Sequence, residues 1–326
     1  LCVAVTATSD KMNSPCRSTR SKIKWRISST EQRQQKQKER TLVQDDDECH
    51  VQTLHEAKKD AFEFLRTNVM EFDKPFLETM GFGSSSNNDN NNEPDGLGQG
   101  LIGPTINLTL EAKIRFPWAD ALPQSIFYEY VLNYANLNEA RSDWRPLLWT
   151  MLEPILQHQT NNYTKEMTLN DVVHLVNRHV WSGFPGHDTL YFHAGETPMV
   201  FDPMSVIVYG YGSCTGLAIL FVNALRTVGV AARVVGTPAW NGQRSKGNHN
   251  WVEVYDYHGG IPTSSSSEDY WKFLEPSANQ TLVDDLTTQP CSKWFCEPNR
   301  FPASGSSKNA TTLVYAARLV FDEASR

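Results

Sequence analysis

An α+β fold is predicted by three stretches in the second half of the chain, which follow a mainly helical segment. In the first, Leu217, Leu220, Phe221, Ala224, Leu225 and Val228 recur at the three-and-four spacing of one helical face and stop at Gly229. In the second, Asn248 to Asp256 alternates over β-branched and aromatic residues, the period of a strand, and puts His249, Trp251 and Glu253 on one face. The third, Tyr270 to Leu274, is a short aromatic strand ending on Glu275 and Pro276. It follows a Ser-rich excursion, Thr263 to Ser267.

The helix opens on Gly212-Ser213-Cys214-Thr215-Gly216, which places Cys214 in its first turn. Unpaired N–H groups and the positive end of the dipole favour a thiolate there, so position alone primes the sulfur. A cysteine nucleophile needs a base within hydrogen-bond reach and a third group to orient that base. His249, at the start of a strand, is the candidate base, and Glu275, at the end of the next strand, is the candidate orienter.

These blocks resemble the transglutaminase-like superfamily. The resemblance rests on the glycine-flanked Cys214, on Leu225-Arg226-Thr227-Val228-Gly229-Val230-Ala231-Ala232-Arg233 leading into a strand, on His249-Asn250-Trp251-Val252-Glu253, and on Trp271-Lys272-Phe273-Leu274-Glu275-Pro276, all in family order. It implies a papain-like α+β core, the nucleophile helix packed on an antiparallel sheet, with Cys214, His249 and Glu275 as the triad. Most members have Asp where this chain has Glu275, so Asp284 and Asp285 stand as fallbacks for the third role. Upstream, Phe127 to Leu132, Asn138-Glu139 and Trp144-Arg145-Pro146 are similar to the N-terminal extension of a mainly bacterial-type subgroup.

Other residues around these blocks have supporting roles to offer. Gly210, Gly212 and Gly216 leave room for a substrate backbone and let the N–H of Cys214 point at a developing oxyanion. The resemblance offers the indole N–H of Trp181 as a second oxyanion donor, against its reading as a core aromatic. Trp251 and Trp271 read as packing walls beside the site. Arg233 and Glu253 read as a structural ion pair rather than chemistry.

Composition sets the outer bounds. A chain of 326 residues, 40 % of them hydrophobic, can bury a substantial core, and a net charge of −7 argues against a nucleic-acid partner. No run is long enough for a membrane span, so an integral membrane protein is not expected. Residues 1–50 form a polar leader rich in Lys, Arg, Gln and Ser, expected to be disordered. Its first residues, Leu1 to Ala7, fit the end of a signal-peptide apolar region and incline the reading towards a secreted or organelle-targeted chain. Sequons at Asn107, Asn162, Asn279 and Asn309 are at the chance level for so Asn- and Ser/Thr-rich a chain. Of six cysteines, Cys291 and Cys296 are spaced for a bridge in an oxidising compartment. As a metal site the pair is weak, lacking a second Cys or His pair at ligand spacing, and neither metal nor cofactor is expected.

The remainder divides into a mainly helical extension, 51–165, with a disordered Ser/Asn linker at about 84–98, and a catalytic domain, 166–326. Within the extension a helical pattern over residues 54–80 stops at Gly81. A second helix spans Thr105 to Phe116 and breaks at Pro117, and residues 122–160 carry amphipathic helix with breaks at Pro123, Pro146 and Pro154. Leu169 to Val180 reads as the helix entering the catalytic domain, and Thr312 to Val320 as a closing strand.

The function expected is cysteine-dependent acyl transfer on amide bonds of a peptide or protein substrate. With water as acceptor the enzyme is a peptidase or deamidase; with a lysine amine it is a protein-glutamine acyltransferase. The reading favours water, because no calcium-loop pattern or accessory β-sandwich sequence accompanies the core. Peptide N-glycanases of the same superfamily usually carry paired Cys-x-x-Cys ligands, absent here. The alternative from another class is a catalytically inactive relative acting as a protein-binding module; retention of both Cys214 and His249 favours the enzyme.

Overall fold

The computed structural model describes residues 54–83, 100–162, 167–184, 186, 188–257, 270–276, 286–296 and 314–319. The leader, the Ser/Asn linker, Asp284, Asp285 and the sequons at Asn279 and Asn309 lie outside the described residues.

Helix α1, Leu54–Thr67, buries Ala61 and Leu65. The expected single helix to residue 80 is interrupted. At Met70 the backbone turns extended, its N–H donates to the Tyr134 hydroxyl at 3.2 Å, and a 3-10 turn, Glu71–Phe76, contains Pro75, which has no N–H to give. The short α2, Leu77–Met80, then stops on Gly81 in the left-handed conformation. Helix α3, Ile102–Arg115, ends before Pro117, and Pro117 starts the next turn, α4, Pro117–Asp120. Helix α5 is Gln124–Tyr130, and α6 runs from Trp144 to Asn162.

Helix α6 corrects the expectation of breaks at Pro146 and Pro154, since both lie inside it. Pro146 sits in the first turn, where its missing N–H would have no partner anyway. Pro154 forfeits one interior hydrogen bond, but Leu148, Leu152 and Leu156 are almost completely buried on the same helix, and their packing outweighs that loss.

Helix α7, Leu169–His179, begins with a capping box between Thr168 and Asp171. A two-strand parallel ribbon follows, formed by β1, Tyr191–Phe192, and β2, Tyr211–Gly212; between them lies α8, Pro203–Tyr209. Helix α9 is Cys214–Thr227, with Ser213 as its cap. The strands β3, Ala232–Thr237, β4, His249–Tyr255, β5, Trp271–Leu274, and β6, Tyr315–Ala316, form an antiparallel sheet in the order β5-β4-β3-β6. The closing strand is thus shorter than the alternation suggested among the described residues.

All described residues belong to one compact unit, with one large apolar core running from Ala61 through α9 to Leu319. Two buried arginines tie the helical segment to the C-terminal end of α9. The Arg145 guanidinium donates to the carbonyls of Arg226 at 3.0 Å and Val131 at 2.9 Å, and that of Arg226 donates to Ala135 at 2.8 Å and Ala232 at 3.0 Å. Five N–H groups in a planar fork suit arginine to such carbonyl clusters. Their effect is to fix the axis of α9, and with it the position of Cys214.

Candidate active site

Cys214 is the first residue of α9, and Ser213 Oγ accepts the N–H of Gly216 at 3.5 Å in the cap before it. His249 is the first residue of β4 and only 4 % exposed. The register pairs Val252 with Leu274, which sets Glu275 one step beyond β5 on the face of the sheet that carries Trp251 and His249. The His249 Nε2 lies 3.0 Å and 3.2 Å from the two Glu275 carboxylate oxygens. That commits one ring nitrogen, so the one available to the sulfur is Nδ1.

The electrostatics of the two residues are reciprocal. Burial raises the Cys214 thiol pKa, but the hydrogen bond with His249, the backbone N–H of Asn250, the charge of His249 and the Thr215 hydroxyl outweigh it, and the net shift is downwards. Burial lowers the His249 pKa; hydrogen bonds to Cys214 and Glu275 and the negative charges of both raise it, to about 9. A thiolate and an imidazolium therefore stabilise each other over the range between.

The imidazole is walled by aromatic rings. Phe295, Trp294 and Trp251 lie 4.6, 5.1 and 6.2 Å away between ring centroids. Phe295 and Trp294 come from the short segment closed by a disulfide between Cys291 and Cys296, whose Cα atoms are 4.7 Å apart. Cys214 is the free cysteine among the described residues.

Other sequence-selected residues fall differently. Trp181 is fully buried against Phe221, at 5.8 Å between ring centroids, and its indole N–H donates to Asn177 Oδ1 at 2.9 Å; that hydrogen is already used, which fits the core-aromatic reading. Gly212 and Gly216 face protein rather than open space. A Cβ on Gly216 would meet the Val200 carbonyl oxygen at 2.8 Å, and one on Gly212 would press on Leu217 and Val206, so both serve the packing of β2 and α8 against α9. Gly210 ends α8 with a positive φ of 80°. Trp251 stands beside His249 as expected, whereas Trp271 is paired with Tyr255 at the opposite end of the strands and stacks on Arg233 at 3.9 Å. Arg233 and Glu253 form the structural ion pair, at 2.7 Å.

Asn250 and Thr215 were not singled out by sequence reasoning. The Asn250 side-chain amide donates to Thr215 Oγ1 at 2.7 Å, while its backbone N–H serves the Cys214 sulfur. Room for that side chain comes from Gly236 across the ladder: a Cβ there would lie 2.1 Å from Asn250 Oδ1. The sequence signal was present in the alternation of β4, which turns Asn250 to the opposite face from His249, towards α9.

Residues 151–275 match the family model described as the transglutaminase-like superfamily. Among solved structures the chain is similar to a red sea bream transglutaminase, at 14% identity and a TM-score of 0.35, over 54% of this chain and 35% of that one. It is also similar to a cysteine protease candidate from Cytophaga hutchinsonii, at 14% identity and a TM-score of 0.26, over 46% of this chain and 47% of that one. The chain thus spans less than half the length of either structure. Among curated proteins none matches it. The matched residues 151–275 take in α9 and the strands β3, β4 and β5, so the part of the chain similar to the transglutaminase-like superfamily is the helix-and-sheet region that brings Cys214, His249 and Glu275 together.

Proposed function

We propose that the protein is a cysteine-dependent acyl-transfer enzyme acting on amide bonds of peptides or proteins, with Cys214 as nucleophile, His249 as acid–base and Glu275 as its orienter. The observation that carries the reading is the imidazole of His249 held between the Cys214 sulfur and both oxygens of Glu275. In this reading the helices of residues 51–165 are an extension that buttresses the catalytic region 166–326.

The Cys214 thiolate attacks the amide carbonyl, forming a C–S bond and a tetrahedral oxyanion near the positive end of α9, where the Cys214 N–H has no helical partner. Collapse of that intermediate breaks the C–N bond as the His249 imidazolium protonates the departing amine or ammonia. Neutral His249 then takes a proton from the acceptor, which attacks the thioester and releases Cys214. Glu275 holds the tautomer with the proton on Nε2, as an orienting carboxylate does. The favoured acceptor is water.

Incubation with glutamine-containing peptides and a labelled primary amine, followed by mass spectrometry, tests the reaction and its acceptor together. Deamidated or cleaved peptide that is lost in Cys214→Ala is the expected result. Amine-coupled product alone would replace water by an amine as acceptor. Iodoacetamide labelling of Cys214 no faster than that of an ordinary thiol at neutral pH would favour the non-catalytic binding module instead.

A further inference from the structure

A cavity of about 290 Å³ opens on the α9 face of the sheet, at the end where β4 begins. Its walls are Leu137 from the loop before α6, Val234 and Pro238 from β3 and the turn beyond it, and Tyr315 and Ala317 from β6 and the residue after it. Asn250 also lines it and is the link to the chemistry, because the same residue gives its amide to Thr215 and its backbone N–H to the Cys214 sulfur. One lining residue of the cavity thus also contacts the first turn of α9 that carries Cys214.

Gly236 lines the cavity without a side chain of its own, and the Asn250 side chain lies over it with its amide bonded to Thr215. Val234 and Ala317 are nearly completely buried, whereas Leu137 and Tyr315 are half-buried at the rim. No Asp, Glu, Lys, Arg or His lines it among the described residues; its polar members are Thr237, Asn248, Asn250 and Tyr315. A cavity of this volume, with mostly apolar surface, has room for one leucine- to phenylalanine-sized group.

We propose that this cavity is the specificity pocket of the enzyme and receives a branched aliphatic or aromatic side chain flanking the scissile amide of the substrate. The assignment rests on the acyl-transfer reading of Cys214. Leu137 contributes a wall from the helical segment, so substrate choice depends on how that segment seats on the sheet. Glycine in place of the apolar side chain leaves the pocket unfilled and loses about tenfold or more in rate, the ordinary worth of several buried methylenes.

The test uses electrophiles, so it does not need turnover. The second-order rate of Cys214 alkylation is measured for two pairs of reagents: the chloroacetamides of leucine amide and glycine amide, and the chloromethyl ketones of acetyl-Leu-Gly and acetyl-Gly-Gly. Sulfur displaces chloride in every case, so the pairs differ only in the apolar group. The expected result is a leucine preference of about tenfold in at least one pair, removed by Ala317→Phe, which fills the cavity, and by Leu137→Trp, which closes it from the opposite wall should the first variant not fold. Equal rates within both pairs, or a preference that survives both variants, overturns the proposal. Iodoacetamide, too small to need the cavity, reports the Cys214–His249 pair alone. An ordinary thiol profile with iodoacetamide beside a retained leucine preference would sink the acyl-transfer reading and keep the pocket.

Discussion

The two faces of the antiparallel sheet are built from different chemistry. On the inner face Val234, Val252, Val254 and Leu274 are all at most 2 % exposed and belong to the large aliphatic core with α9. On the outer face Val235, Trp251 and Phe273 form a separate small cluster with Phe295 and Cys296, and His249 sits at its edge. The inner face removes much apolar area from water and supplies stability. The outer cluster is smaller and aromatic, and it surrounds an imidazole with rings while leaving both ring nitrogens hydrogen-bonded. A buried polar group so satisfied is held firmly, and low dielectric strengthens its coupling to Cys214 and Glu275. One strand, β4, serves both purposes because its side chains alternate.

Truncating the inner face should produce the largest effect. Leu220→Ala, at a fully buried position of α9, is expected to cost about 3 kcal/mol of folding stability, read from the urea midpoint, while the molecules that remain folded keep their turnover per site. A loss of turnover as large as the loss of stability would mean that the two faces are not separable.

On the outer face the expected effect is catalytic. Glu275→Gln should lower turnover about a hundredfold, about 2.7 kcal/mol of transition-state stabilisation, with little change in the urea midpoint. Because the Glu275 charge raises the His249 pKa, the alkaline limb of the activity profile should also move down from about 9. An unchanged profile and rate would remove Glu275 from the triad; Asp284→Asn would then be the next variant to measure.

The pH dependence of the unsubstituted protein sharpens the same contrast. Cys214 alkylation should rise at a pH below the ordinary thiol value, whereas substrate turnover should also fall above about 9, where His249 loses the proton it must give to the leaving amine. His249 has a folded value above its ordinary 6.5. Its contribution to stability is therefore fully present below about 6.5 and lost as pH rises through about 9. A single inflection at the free-thiol value in the alkylation profile would exclude the ion pair.

The smallest effect is expected at Trp251. Its buried indole N–H has no hydrogen-bond partner among the described residues, so Trp251→Phe loses ring area but also removes an orphaned donor. The net change in stability should stay within about 1 kcal/mol. A loss of about 3 kcal/mol or more, in the range of full ring truncation, would show that the outer cluster carries more of the fold than its size suggests.

Local pattern was enough to determine the elements that bear the site. Helical spacing from Leu217 to Val228 placed Cys214 at a helix start, alternation placed His249 at a strand start, and the Glu275-Pro276 step ended the following strand; each is set by periodicities of a few residues. What needed the tertiary structure was everything decided by packing between distant segments. Pro154 stays helical because buried leucines on its own helix outweigh one lost hydrogen bond. Trp271 leaves the site because antiparallel register sends it to the far end of its strand. Trp181 spends its N–H on Asn177. Phe295 reaches His249, and Asn250 finds space over Gly236, only once the chain has folded around them, since no local rule records which residue will lie across a sheet.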